Sequence, residues 1–429
     1  MRRLTTLFAL LALPLGLLFA SHASAAPGPG EPSVWVEQVQ GGQQVRAATL
    51  QPRCPVLNVD GEPTAMQVRA AADAIYPVTL CQLSLPAGAR RATLGGAALP
   101  LLKGPPQRIL IFGDTGCRIK DALVQDCNNP RLWPFAQVVR RAAAHHPDLV
   151  IHVGDYYYRE TPCPAANKAC AGSPYGDNWA TWRTEFFTPA RPLLASAPWV
   201  FVRGNHETCS RGGRGWFRLL DAGAQPLPCP STAAPFTVNL GDLNLYVLDS
   251  GSAEDSSAPP DLVARFGGEL NALAGEMTHG KGWILTHRPF WGLAPIARLG
   301  PIGPIEAPLN KTEQTAVQGR DLSGVQMVVS GHIHHFSAYS FGPGRPAQLI
   351  SGAGGDIGER ADTPAVRQGT VDIDGLPAER LTFDRFGYFL LDRSGADWVG
   401  GFRDLDDHLI ATCRLHGRDL RCTPVRGQG

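Results

Sequence analysis

Five short apolar runs in this chain each stop at a residue able to bind a metal ion. Ile109-Leu110-Ile111-Phe112 leads into Gly113-Asp114, Leu149-Val150-Ile151-His152-Val153 into Gly154-Asp155, and Val200-Phe201-Val202-Arg203 into Gly204-Asn205-His206-Glu207. Further on, Trp283-Ile284-Leu285-Thr286 stops at His287, and Val328-Val329-Ser330 at Gly331-His332-Ile333-His334. Two metal ions held about 3.5 to 4 Å apart need one bridging carboxylate, terminal N and O ligands, and open positions, and they generate hydroxide from water near neutral pH. Two Asp, an Asn amide and three His supply that inventory. A single Gly-Asp or Gly-His reads as a turn or a capped strand end; five along one chain, each closing an apolar run, read as a site.

Such residues need strands that deliver them to one rim. A short apolar run closed by Gly reads as a buried strand, and open α/β sheets place their sites beyond the carboxyl ends of the strands. From Gln107 onward strands alternate with helical patterns: a strand to Asp114, an amphipathic helix over Leu132 to Ala144, then a strand to Asp155, a βαβ unit. A second helical stretch opens at Asp177-Asn178-Trp179 and runs toward Phe187, where Pro189 and Pro192 limit it. Pro235 to Asp249, split by Gly241-Asp242, reads as a hairpin of a second sheet, and a helix over Leu262 to Glu276 precedes the His287 strand. Ala347 to Gly352 is a further strand, and Gly387 to Cys422 a run of short ones. The expected fold class is α/β: two β-sheets packed face to face with helices outside.

The remaining sequence sets bounds. Met1-Arg2-Arg3, an apolar segment from Leu4 to Ala20 and Ala23-Ser24-Ala25 make a secretory signal peptide over residues 1–25, with cleavage after Ala25; the apolar segment is short for a membrane anchor. Cleavage takes 25 of 429 residues and removes Arg2 and Arg3 but no acid, so the formal charge moves from +1 to −1. That balance argues against a sequence-blind nucleic-acid binder or a polybasic membrane binder. A secreted or periplasmic protein is expected. Its ten cysteines lack any C-x-x-C pair and suggest disulfides between neighbours: Cys54 with Cys81, Cys117 with Cys127, Cys163 with Cys170, Cys209 with Cys229 and Cys413 with Cys422. Residues 26–106 carry no chemistry and read as a small β-rich domain or appendage ending at Lys103-Gly104-Pro105-Pro106, ahead of a catalytic domain over 107–429. His152 reads as a hydrogen-bonded core residue, Tyr156, Tyr157 and His335 as packing, and His145 and His146 as a helix end.

The ordered set Gly113-Asp114-Thr115-Gly116, Gly154-Asp155-x-x-Tyr158, Gly204-Asn205-His206-Glu207, Ile284-x-x-His287 and Gly331-His332-x-His334 resembles the calcineurin-like metallophosphoesterases, and specifically their purple acid phosphatase branch. Many relatives carry a His two residues after the first Asp; Gly116 stands there, and Tyr158 replaces the lost ligand with a hard oxygen donor. The resemblance spans about Gln107 to Asp392, includes Trp179-Ala180-Thr181-Trp182, and implies a four-layer αββα sandwich. It implies Asp114, Asp155, Tyr158 and His334 around a ferric ion, and Asp155, Asn205, His287 and His332 around a second metal, Zn, Fe or Mn. Phosphate esters would be hydrolysed by metal-bound hydroxide, with His206 as the general acid and Glu207 orienting it. The expected partner is a small-molecule phosphate ester. Two alternatives stay open: a phosphodiesterase acting on nucleotides or phospholipid headgroups, and a non-hydrolytic di-iron redox or phosphate-binding protein.

Overall fold

Leu149 and Ile151 leave their strand on one face, Val150 and His152 on the other, and all four are fully buried. A strand buried on both faces needs a layer above and a layer below. The computed structural model of the protein, which describes residues 32–223, 228–275, 281–298, 304–357 and 366–427, contains both. The strands Arg108–Phe112, Leu149–His152 and Trp199–Phe201 lie side by side and parallel, with Leu149 opposite Ile109 and Val150 opposite Trp199. They form the centre of an eleven-stranded mixed sheet. Gly387–Ser394 pairs antiparallel with Arg108–Phe112 and starts a C-terminal meander, while Ser33–Val39 pairs parallel with Trp199–Phe201 and starts an N-terminal one.

The second sheet has eight strands and a parallel centre formed by Asn244–Val247, Gly282–Leu285, Val325–Ser330 and Ala347–Ser351. Between the sheets, Ile109, Ile111, Ile151 and Val200 meet Leu245, Trp283, Leu285, Val329 and Leu349 in one apolar layer. Outside the first sheet, the helix Phe135–Ala143 buries Phe135, Val138, Val139 and Ala142 against Leu110, Phe112 and Val150. That spacing puts all four on one helical face. Outside the second, the helix Pro260–Ala274 covers Tyr246, Ile284 and Val328 with Leu270 and Leu273. The arrangement is the expected α/β sandwich of two mixed sheets with helices on the outer faces.

One local expectation differs from what is found. Pro189 and Pro192 do not end the helical stretch: Trp179–Trp182 continues through a wide π turn over Arg183–Phe187 into the helix Thr188–Leu194, with Pro192 inside it. The Thr188 N–H bonds the Arg183 carbonyl five residues back, and Pro189 falls in the first turn of the following helix, where a missing N–H costs little. The β-rich stretch before Pro106 adds strands to the catalytic sheet directly, with Glu37 opposite Trp199, and residues 32–429 form one compact unit. Arg46 fastens it, with Nη1 and Nη2 donating to the Leu219 and Asp221 carbonyls at 2.8 and 2.6 Å and an ion pair to Glu37 at 2.7 Å.

All ten cysteines pair, in the neighbour pattern expected. Five disulfides suit an oxidising compartment. Among the described residues no helix is long and apolar enough to cross a membrane. The signal peptide expected over residues 1–25 lies outside the described residues.

Candidate metal centre

Asp114 and Asp155 follow the carboxyl ends of two adjacent parallel strands of the first sheet, Asn205 follows a third, and His287 and His332 follow two strands of the second. Three of these five residues hold left-handed backbone: Asp114 at φ 56°, Asp155 at 61° and His332 at 70°. That conformation is uncommon outside Gly and is more accessible to Asp, Asn and His than to other side chains. Hydrogen bonds pin it, since the Asp155 N–H donates to Glu207 Oε2 at 3.0 Å and the His332 N–H to Asp114 at 3.1 Å. The neighbouring glycines make room: a Cβ on Gly204 would stand 2.0 Å from Asp155 Oδ1, and one on Gly331 2.3 Å from Asp114 Oδ2.

The side chains converge in two groups that share Asp155. In the first, Tyr158 Oη lies 2.9 Å from Asp155 Oδ2, 3.3 Å from Asp114 Oδ1 and 3.0 Å from His334 Nε2. Asp114, Asp155 and His334 offer ligand atoms all within 4.8 Å of one another, a group able to hold a metal ion. In the second, Asn205 Oδ1 lies 3.0 Å from His287 Nε2 and 2.8 Å from His332 Nδ1, while His287 Nε2 is 3.2 Å from Asp155 Oδ2.

The donor set fits bound cations. Two carboxylates with no more than 1 % exposure stand together, an arrangement that costs free energy unless positive charge offsets it. Each histidine also has its outer nitrogen occupied: His287 Nδ1 donates to the Val153 carbonyl at 2.7 Å, His332 Nε2 faces Asp255 Oδ1 at 2.9 Å, and His334 Nδ1 faces Asp356 Oδ2 at 3.1 Å. For His287 and His334, outer partners of this kind fix the tautomer and leave the inner nitrogen as a ligand, whereas His332 Nε2 lies 2.9 Å from Arg288 Nη1 as well. Arg288 in turn bonds Asp255, and Arg118 clasps Asp356 through Nε and Nη2.

Electrostatics agree. Burial pushes the Asp114 carboxyl up. Burial acts the same way on Asp155, yet the adjacent His287 and His206 hold it well below the usual carboxylate range. His287 is pulled down by burial and carried up to about 9 by Asp155. Burial, then Asp155 and Asp114, push the Tyr158 phenol far up, so a bound cation is what would make it a phenolate.

His206 is buried beside the first group, its ring tilted 35° against Tyr158 with centroids 3.8 Å apart. Its backbone N–H donates to Asp155 Oδ1 at 2.9 Å, Nδ1 lies 2.9 Å from Glu160 Oε1, and Nε2 accepts from Arg211 Nη2 at 2.9 Å. Burial lowers this imidazole to about 4. Glu207 does not orient His206. Its carboxylate accepts the N–H groups of Gly204, Asp155, Tyr156 and Tyr157 at 2.8 to 3.0 Å and holds the loop instead. The orienting carboxylate is Glu160, two residues after Tyr158.

Among the other residues singled out, His152 is a core residue, with Nδ1 accepting from the Gly154 N–H at 3.2 Å and Nε2 2.9 Å from Thr115 Oγ1. Tyr156 and Tyr157 pack in the core, and His335 is buried against Asp384. Asp255, Asp356, Glu160 and Arg211 went unread in the sequence because none closes an apolar run.

Residues 107–336 match the family described as calcineurin-like phosphoesterase. Two solved structures share the fold: a purple acid phosphatase, PPD1, from seeds of yellow lupin (Lupinus luteus), at TM-score 0.54 and 14 % identity over 92 % of this chain and 75 % of that one, and PhoD, at TM-score 0.58 and 13 % identity over 94 % and 95 %. No curated protein matches. With the family match covering more than half of the chain and an Asp/His group poised for metal at its strand ends, the protein belongs to the calcineurin-like phosphoesterases and is a phosphoric ester hydrolase.

Proposed function

We propose that the protein is a binuclear-metal phosphomonoesterase of the purple acid phosphatase kind. One observation carries the finer assignment. A Cβ on Gly116, where many relatives place a histidine, would stand 2.4 Å from Tyr158 Cδ2. The tyrosine ring therefore fills the space of the missing side chain, and its oxygen reaches Asp114, Asp155 and His334. In this reading Asp114, Asp155, Tyr158 and His334 hold a ferric ion, and Asp155, Asn205, His287 and His332 hold a second cation, Zn, Fe or Mn. Bound there, the pair supplies Lewis-acid activation of water and charge neutralisation at the phosphoryl group.

The protein's own groups set the rest. Asp255, Asp356 and the Val153 carbonyl keep the three histidines aimed inward. Glu160 Oε1 lies 2.9 Å from His206 Nδ1, so Nε2 is the atom that meets substrate. As the P–O bond to the alcohol breaks, the departing oxygen takes its proton from His206 Nε2, and Arg211, now bonded to that nitrogen, is placed to receive a phosphoryl oxygen. Burial favours the neutral imidazole, so this proton is available at acidic pH, in keeping with an acid phosphatase.

Metal analysis and visible spectroscopy test the assignment. The iron-loaded protein is expected to show a tyrosinate charge-transfer band that Tyr158→Phe abolishes while weakening the first metal selectively. Asp155→Asn is expected to lower the metal content of both sites. A Tyr158→Phe protein that kept its colour and its iron would refute the purple-phosphatase reading.

A further inference from the structure

Beside the two ligand groups lies a cleft of about 550 Å³, with His332 and His334 in its lining. Its lining is largely apolar and includes Leu123, Val124, Pro295, Ile296, Leu309 and Ile357. Leu123 is 62 % and Ile296 61 % exposed. A single exposed apolar side chain needs no explanation, but two framing one cleft that opens onto a site are a different matter.

The Leu123 wall is built to stay in place. Leu123 and Val124 form one arm of a short hairpin with Ile119–Lys120, and the Cys117–Cys127 disulfide closes it. Gln125 Nε2 anchors that hairpin to the Leu132 and Gly355 carbonyls at 2.6 and 2.8 Å. Ile296 sits in a second hairpin, Leu293–Arg298 with Pro304–Pro308. An apolar surface fixed in advance binds without the cost of ordering it.

Most polar groups of the lining are already engaged, the buried His335 Nε2 excepted. Arg118 is held by Asp356, Gln125 by the backbone, and Asp384 accepts from Arg367 Nη2 at 2.8 Å. They offer little to a sugar, a second phosphate or a charged leaving group, whereas the apolar walls gain from covering hydrocarbon.

The geometry points to a leaving-group subsite: the cleft takes the apolar alkyl or aryl part of a phosphate monoester whose phosphoryl group sits at the Asp114–Asp155 group. This rests on the phosphomonoesterase reading and names its substrate class, esters of apolar alcohols.

A homologous series tests it, because ethyl, butyl and hexyl phosphate have leaving groups of similar acidity and differ in apolar length. Each buried methylene contributes a factor of about 3 to 4, so kcat/KM is expected to rise about 80-fold or more from ethyl to hexyl. The rim variant Leu123→Asp/Ile296→Asp, which touches no ligand, is expected to flatten that slope while leaving ethyl phosphate within about twofold of the parent. Calorimetry with ethylphosphonate and hexylphosphonate reads the same preference without turnover. Equal kcat/KM and equal affinities across chain length, or a slope that survives in the rim variant, would overturn the subsite. Failure to hydrolyse any ester would sink the phosphomonoesterase reading alone, since the phosphonate affinities still decide the cleft.

Discussion

Replacing Gly116 by Ala asks whether the tyrosine ring occupies the room of the absent side chain. The new methyl would stand 2.4 Å from Tyr158 Cδ2, 2.7 Å from Glu185 Oε1 and 3.0 Å from the Tyr156 carbonyl, where ordinary contact begins near 3.4 Å. The ring would have to retreat by about 1 Å to restore normal packing. It has nowhere to go without disturbing its contacts: the tilted His206 ring has its centroid 3.8 Å away and the Arg118 guanidinium lies 5.1 Å from the ring centre. Overpacking of this kind costs about 1 to 3 kcal/mol, and a displacement of 1 Å at a reacting centre about 10² in rate. Urea unfolding of metal-free protein reads the first quantity, free of metal linkage; phosphatase kinetics and the visible band of iron-loaded protein read the second. In a Tyr158→Ala background most of the stability cost of Gly116→Ala is expected to vanish, with Glu185 and the Tyr156 carbonyl accounting for the remainder. Parent-like stability and a parent-like band in Gly116→Ala would refute the steric reasoning.

His206→Ala is expected to lose about 10² to 10⁴ in kcat for alkyl phosphates and far less for aryl phosphates of acidic phenols, with metal content unchanged; an equal loss for both classes would assign His206 to phosphoryl positioning alone. Because burial lowers His206 to about 4, its protonated form is lost as pH rises through that value, so alkyl turnover should fall with rising pH more steeply than aryl turnover. Asp356→Asn, which leaves the ligands intact, should weaken metal binding at the His334 group about 10- to 100-fold, read by chelator competition. Glu313 is fully buried, with no hydrogen-bond partner among the described residues for either carboxylate oxygen, and burial pushes it up to about 8. Since its folded value is raised above 4.5, its contribution is complete below pH 4.5 and is lost as pH rises toward 8, at most about 5 kcal/mol. Glu313→Gln should therefore raise the Tm at pH 8.5 more than at pH 5, and identical shifts at the two pH values would contradict that sign.

The five ligand-bearing strand ends were legible because each is a local pattern: apolar residues and then the donor, with a Gly between them in all but the His287 strand. The disulfides were legible for a related reason, their partners being only 7 to 27 residues apart. Groups that reach the site from elsewhere left no such trace. Asp255 and Asp356 come from loops and are recognised only by the histidine each supports. Glu207 was misassigned because adjacency in sequence suggested contact with His206, while its carboxylate turns back to four backbone N–H groups. The helix past Pro189 was missed because a π turn alters which N–H a proline removes. The pairing of Ser33–Val39 with Trp199–Phe201 was out of reach, since no short-range signal announces a parallel partner so distant in the chain.

That pairing, with the antiparallel strand Gly387–Ser394 on the opposite flank, governs how the protein comes to be folded. The three strands that present Asp114, Asp155 and Asn205 are clasped between segments from the two ends of the chain. Contacts this far apart in sequence give a high contact order and a slow search. Ser33–Val39 lacks its parallel partner until Trp199 exists, and the flank beside Arg108–Phe112 stays open until residue 394 has been synthesised. The sheet that carries Asp114, Asp155 and Asn205 is thus closed only once the whole stretch from Ser33 to Ser394 is available, in step with the oxidation of four of the five disulfides that lie within it.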